Sequence, residues 1–251
     1  MRARGIIRIG TCAVVAVGLA VGLSAPSSAD SLNFRQLQGP GLIAVLPQPN
    51  EYPLWLGAKQ YSLSTESFTP EAGMSICEVG ISESVEGQKP SLGAYSFVDY
   101  GAYPSGGFAN LLTNIYQFPN AQAARAAWAN LNDKAKACTT TFVGPYQFAG
   151  TERLGDVTLR QKVRTSDPAS GTRGLIIDSR SSWKRYGATN PDRTGGQWRI
   201  WRQVGNVVFK ISYVKVVDRD VPTVMSASDR ATINALSLLV VERYRAAALG
   251  A

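Results

Sequence analysis

A β-hairpin is encoded by QWRIWRQVGNVVFKISYVKVV, residues 197–217. Gly205 and Asn206 lie between its two apolar-rich halves, and this pair is typical of the turn of an antiparallel hairpin. The second half alternates apolar with polar side chains as a strand does, and its apolar face consists of Val207, Phe209, Ile211 and Tyr213. We therefore predict two paired strands, Gln197–Gln203 and Val207–Val217.

Further strands are predicted upstream of this hairpin. In Val157–Arg164, apolar residues alternate with Arg160, Lys162 and Arg164, which is the pattern of a sheet with one solvent-exposed face. We expect a basic, aromatic loop at Ser181–Gly196, directly before the hairpin. The other strand candidates are Ala94–Asp99, Phe108–Phe118 and Gly174–Arg180.

Two amphipathic helices complete the predicted elements. Pro119 and Asn120 end a strand and start an Ala-rich helix from Ala121 to about Cys138, and Ser226 caps the last helix. Their apolar stripes are Ala124, Trp128, Leu131, Ala135 and Cys138 in the first helix and Ile233, Leu236, Val240 and Tyr244 in the last. This order of elements predicts the α+β class: a largely antiparallel sheet with helices packed on it, in a single domain after a signal peptide.

The first 29 residues have the features of a cleavable signal peptide. Three arginines precede an apolar run, Ile9–Leu23, which is shorter than the roughly 18 to 20 residues of a membrane-spanning helix. Ser27 and Ala29 satisfy the small-residue rule for cleavage after Ala29. We predict a protein that is secreted or held in the periplasm or cell envelope, and an uncleaved anchor is the alternative.

Residues 30–69 are predicted to form an N-terminal arm that precedes the domain proper at 70–251. Pro47, Pro49 and Pro53 interrupt regular structure there, so we expect at most one helical turn, partly laid on the core.

Composition excludes several classes of function. The 251 residues contain no histidine, so Ser-His-Asp and Cys-His nucleophile systems and histidine-ligated zinc cannot be built. Removing the three arginines of residues 1–29, which contain no acid, reduces the net charge from +8 to +5. This excess favours weak attraction to anionic surfaces, but it is too small for a nucleic-acid partner.

Two cysteines, Cys77 and Cys138, remain after removal of the signal peptide. An even pair in an oxidising compartment predicts one disulfide bond. A redox-active pair is the alternative, although the Cys-x-x-Cys spacing that lowers a thiol pKa is absent.

Four segments together resemble the PknH-like extracellular sensor domain family of actinobacteria. They are LLTNIYQFP at 111–119, AARAAW at 123–128, Cys138, and VGNVV at 204–208. The resemblance covers residues 70–245, and it implies an antiparallel sheet flanked by helices, a broad cleft, and ligand sensing without catalysis. Members of this family usually carry a second cysteine pair near the final strand, which this chain lacks.

The predicted binding residues are aromatic and basic: Trp183, Lys184, Arg185, Tyr186, Arg199 and Trp201. Aromatic faces stack on sugar rings, while Arg and Lys pair with phosphate or carboxylate, so the cluster suits an anionic cell-envelope glycan or glycolipid. Trp198 and Trp201 point to opposite faces of a strand, so one of them is expected at a surface or cleft unless both faces are covered. The structural alternative is that Trp198 packs under a helix and Trp201 under the arm.

These observations predict a secreted, non-enzymatic sensor or ligand-binding domain. We expect no catalytic residue, metal or cofactor, and the partners would be an envelope ligand or small molecule, with a receptor or envelope protein as a further candidate. One alternative is an envelope glycoside hydrolase with two carboxylates, for which Asp178 has the most apolar setting. A protein–protein adhesion module is the other.

Overall fold

The structure is a computed structural model, and it describes residues 32–51, 60–66, 90–102, 107–137, 141–146, 155–166, 172–185, 193–218 and 224–250. The predicted signal peptide, Cys77, Cys138 and Tyr186 lie outside these residues, so the cleavage and the disulfide stay predictions.

Within the described part of the chain, eight strands form one antiparallel sheet, accompanied by three α-helices. The strands are β1 Gln60–Glu66, β2 Leu92–Ala102, β3 Phe108–Gln117, β4 Thr141–Tyr146, β5 Gly155–Ser166, β6 Arg173–Arg185, β7 Arg193–Val204 and β8 Val207–Val217. The helices are α1 Gly39–Val45, α2 Ala121–Ala137 and α3 Ala227–Leu249, and a short 3-10 helix spans Pro49–Glu51. The predicted α+β class is confirmed.

The predicted hairpin lies at the centre of the sheet. The strand order is β1-β2-β3-β8-β7-β6-β5-β4, so α2 carries the chain from β3 to the far edge and the later strands return toward β3. A central strand that is covered on both sides carries apolar residues on both faces. This position explains why β7 contains two tryptophans that point in opposite directions.

Each face of the sheet is covered by a different helix. On one face, α1 and α3 pack against a core that includes Trp198, Ile200, Phe209 and Tyr213. On the other face, the described members of the predicted α2 stripe, Ala124, Trp128, Leu131 and Ala135, pack against Trp201 and its neighbours. Ser226 caps α3 as predicted, because its side chain accepts a hydrogen bond from the Asp229 backbone N–H while the Asp229 side chain accepts one from the Ser226 N–H.

The prediction of a loop at Ser181–Gly196 is wrong at both ends of the segment. β6 continues to Arg185 and β7 begins at Arg193, so most of the basic and aromatic residues lie in strands. Pairing of β6 with β5 on one side and β7 on the other extends the ladder through serines and glycines that favour turns locally. β4, Thr141–Tyr146, was not among the strand candidates of the sequence.

The N-terminal arm is more regular and more deeply packed than predicted. It contributes α1 and β1, and Phe34, Leu37 and Leu42 are buried in the core. Two side-chain amides hold it by exchanging hydrogen bonds with its backbone, as a neighbouring strand would. Asn206 accepts from the Phe34 N–H at 2.8 Å and donates to the Phe34 carbonyl at 3.1 Å. Gln117 accepts from the Leu37 N–H and donates to the Leu37 carbonyl, both at 2.8 Å.

Gly205 allows the arm to pass close to the hairpin turn. Its φ of 53° lies in the left-handed region, which favours glycine. A Cβ at this position would lie 2.5 Å from the carbonyl oxygen of Leu32. The Gly-Asn pair that forms the turn therefore also provides the contact surface and the anchor for the arm.

We predict that Asn206→Ala lowers the free energy of unfolding by about 3 kcal/mol, because it removes the hydrogen bonds to the buried N–H and carbonyl of Phe34 and one of the two hydrogen bonds to the Phe118 carbonyl. Urea denaturation measures this, with Asn50→Ala, at an exposed position, as the matched control. A loss below about 0.5 kcal/mol, the level of an ordinary surface substitution, would contradict the anchoring role.

Candidate functional site

The two tryptophans of β7 are both buried. Trp198 is 7% exposed and Trp201 is 0% exposed, so the expectation that one of them lies at a surface or cleft is wrong. The physical reason is that helices cover both faces of the central hairpin. Trp201 packs in the α2 core rather than under the arm, where it stacks on Tyr116 with the ring centroids 6.1 Å apart. Lys210 Nζ lies 5.2 Å from the centroid of the Trp201 ring.

The arginines of β7 make internal contacts. Arg199 is 4% exposed. Burial raises the pKa of Tyr116, and the charge of Arg199 opposes this rise without cancelling it. Arg202 faces the other side of the strand, where it donates to Ser237 Oγ at 2.8 Å and to Asn234 Oδ1 at 2.7 Å, and burial lowers its pKa. Arg193 forms an ion pair with Asp218. These contacts join the sheet to α3 and to the loop after β8.

Among the predicted binding residues whose side chains the structure describes, Lys184 lies apart from Arg199 and Trp201. Lys184 is exposed on β6, on the sheet face opposite to Arg199 and Trp201, because it lies an even number of residues from Asp178, whose register partner is Trp198. The backbones of Trp183 and Arg185 lie in β6, while their side chains are outside what the structure describes. The ligand-binding role of this set stays a prediction, and the geometry supports Lys184 better than Arg199 or Trp201.

A cavity of about 170 Å³ lies elsewhere, between the middle of β6 and the chain that enters α3. Its charged lining residues are Asp178, Arg180 and Arg230, and we call it the Arg180–Arg230 cavity. Arg230, in the first turns of α3, points a guanidinium NH2 at both Asp178 oxygens, at 3.4 and 3.3 Å. The same guanidinium lies 5.0 Å from the centroid of the Trp198 ring. Two contacts thus hold the Arg230 charge in place.

The apolar wall of the cavity depends on Gly196. A Cβ there would lie 3.2 Å from Val224 Cβ and 3.4 Å from Met225 Cγ, which is tighter than ordinary packing. The missing side chain lets Val224 and Met225 approach β7 directly before Ser226 starts α3. An alanine at this position would push that segment away from the sheet.

A row of basic side chains runs beside the cavity on the neighbouring strand. Arg160, Lys162 and Arg164 are exposed and alternate along β5, and we call them the β5 row. In the register, Lys162 is opposite Asp178, and Arg160 is opposite Arg180. Arg164 NH2 lies 3.9 Å from Asp178 Oδ2.

Five basic side chains in the cavity and the β5 row therefore surround one described carboxylate, Asp178. Arg160 lies directly opposite Arg180 on the paired strands, and like charges in this arrangement repel each other.

Sequence reasoning found only part of this arrangement. The alternation of β5 identified Arg160, Lys162 and Arg164 as one exposed face, and Asp178 was noted as an acid after an apolar run. The approach of Arg230 was missed, because it depends on how α3 docks on the sheet. The two-residue separation of Asp178 and Arg180, which places both on one face of a strand, was an available signal.

Asp178 is not paired with a second carboxylate in the described lining of the cavity. Its described charged partners are Arg164 and Arg230. In the part of the chain that the structure describes, no three acidic or cysteine side chains form a group that could hold a metal ion. Of the described helices, none is both long and apolar enough to span a membrane.

Comparison with known proteins supports the fold. No family model matches the chain, and no curated protein matches it. The extracellular domain of PknH from Mycobacterium tuberculosis, a crystal structure, is similar with a TM-score of 0.50 and 16% sequence identity. The match covers 85% of this chain and 100% of that domain. The predicted PknH-like architecture is thereby confirmed at the level of the fold.

Trp201→Ala is expected to lower the free energy of unfolding by about 3 to 5 kcal/mol, because it removes a large side chain that is fully buried under α2. Lys184→Ala, at an exposed position of the same predicted cluster, should change it by less than about 0.5 kcal/mol. Urea denaturation of both variants measures these changes in the free energy of unfolding. Equal stability of the two variants would return Trp201 to the list of candidate surface residues.

Proposed function

We propose that this protein is an extracellular sensor-like domain that binds an anionic glycan, glycolipid or similar component of the cell envelope at the Arg180–Arg230 cavity. The observation that carries the proposal is the convergence of two arginines from different elements on one cavity, with the charge of Arg230 held by Asp178 and Trp198. The likeness to an extracellular domain and the signal-like first 29 residues support an exported location.

The chemistry of the cavity favours an anionic group over a neutral sugar. Guanidinium groups bind phosphate, sulfate or carboxylate through two parallel hydrogen bonds, which makes arginine the preferred residue for such groups. Asp178 engages Arg230 from one side, and Arg180 places a second guanidinium in the lining of the same cavity. Asp178 is therefore a positioning residue in this proposal, and it has no catalytic role.

The size of the cavity limits what it encloses. Its volume of about 170 Å³ is below the roughly 300 to 1,000 Å³ of pockets that enclose a whole drug-sized ligand. One charged head group fits, while the rest of the ligand would lie on the surface beside it. A glycan or lipid bearing a terminal phosphate or carboxylate has this form.

The test is titration calorimetry of the mature chain with glucose 6-phosphate and with glucose. We expect binding of the phosphate only, and Arg180→Gln should weaken it about tenfold or more, as expected for the loss of one charge-assisted hydrogen-bond donor. The matched control is Arg125→Gln on α2, which makes the same charge change on the opposite face of the sheet.

Vesicles distinguish the two sources of the anionic group. Binding to vesicles with an anionic phospholipid, but not to glucose 6-phosphate, assigns the site to a lipid head group, and the reverse result assigns it to a soluble sugar. An Arg180→Gln variant that binds both probes as tightly as the native chain, with its melting temperature unchanged, would refute the proposed site.

A further inference from the structure

We propose that the β5 row extends the Arg180–Arg230 cavity into a site for a linear polyanion, a polymer whose repeating units are joined by phosphodiesters. This inference rests on the proposed function of the cavity and names the class of ligand. It follows from the spacing, the position and the charge of three side chains on β5.

The spacing of the row is set by the strand. Side chains at alternate positions of an antiparallel strand are separated by about 7 Å, so Arg160, Lys162 and Arg164 present three charges over about 14 Å. All three are exposed on the same face. A polymer with a three-carbon linker has six bonds from one phosphorus to the next, so its extended form repeats its charge at a spacing similar to that of the row.

The position of the row makes it continuous with the cavity. Neighbouring strands lie about 4.8 Å apart, so Arg160 on β5 is the direct neighbour of Arg180 on β6. A polymer whose terminal phosphate lies in the cavity would extend from it across β6 and contact the β5 row. Cavity and row then form one track of positive charge.

The charge balance favours a ligand with several anions. A single phosphate between Arg180 and Arg230 would leave the β5 row with Asp178 as its only described counter-charge. Phosphates repeated along β5 would neutralise each member of the row in turn. Affinity should therefore rise with the number of repeats until the row is filled.

The surroundings of the site favour a polyol phosphate over a nucleic acid. Proteins that bind single-stranded nucleic acids stack the bases on accessible aromatic side chains. The described aromatic residue that contacts this site, Trp198, is buried beneath Arg230 and offers no such platform. This site would therefore recognise a polymer through the charges of its backbone.

The experiment uses the mature chain and 1,3-linked glycerol phosphate oligomers of one, two, four and six units. We expect the tetramer to bind about tenfold or more tightly than the monomer, with a steeper decrease in log affinity against log salt concentration, because more counterions are released. Lys162→Gln should remove most of this gain in affinity with oligomer length. Arg180→Gln should weaken the binding of the monomer and of the tetramer by similar factors. Lys134→Gln on α2 is the matched control for the lysine change.

The outcomes separate this inference from the function on which it rests. Equal affinity and equal salt dependence for monomer and tetramer would overturn the polyanion site but keep the cavity as a site for a single anion. Binding of neither probe would refute the cavity itself. A length gain that survives Lys162→Gln, or tighter binding of a charge-matched single-stranded DNA, would overturn the assignment of the row to a phosphodiester-linked polyol.

Discussion

Burial of the β7–β8 hairpin on both faces is the constraint on which the rest of the structure depends. The hairpin lies in the middle of an antiparallel sheet, and its large side chains need cover on two sides. α2 reaches one side by carrying the chain from β3 to the far edge, while α1 and α3 cover the other. Even the hairpin turn takes part, because Asn206 anchors the arm and Gly205 makes room for it.

The same constraint explains where charge is left for binding. Arg199 and Arg202 lie on the covered hairpin, so their side chains are buried and make internal contacts. Toward β5 the sheet carries exposed arginines and a lysine on the face that α3 occupies closer to its centre. Arg230 extends from the start of α3 toward this basic region. The binding properties proposed for this protein therefore arise at the border between the covered and the exposed sheet.

Local periodicity was enough to predict most of the elements but not their surroundings. The hairpin, β3, α2 and α3 follow directly from alternation, helical spacing and capping residues such as Ser226. The Ser181–Arg185 segment looked like a loop because its serines favour turns, whereas pairing with β5 and β7 makes it a strand. The expected exposure of one β7 tryptophan was wrong for a related reason: the burial of Trp201 depends on the position of its strand in the sheet, which alternation alone cannot show. A cluster that is dense in the sequence is divided between two faces in the fold.

The central claim is that ligand recognition lies at the β5–β6 end of the sheet and not on the hairpin. The five tryptophans of the chain give indole N–H signals in a ¹H–¹⁵N spectrum of the mature protein. The signals of the two β7 tryptophans, Trp198 and Trp201, test this claim most directly. On titration with the glycerol phosphate tetramer, the indole signal of Trp198 should shift, because Arg230 lies 5.0 Å from its ring. The backbone amides of 160–164 and 178–180 should shift with it, while the Trp201 indole under α2 should stay in place. A shift of the Trp201 indole and the Arg199 amide, with Trp198 and β5 unchanged, would contradict the account.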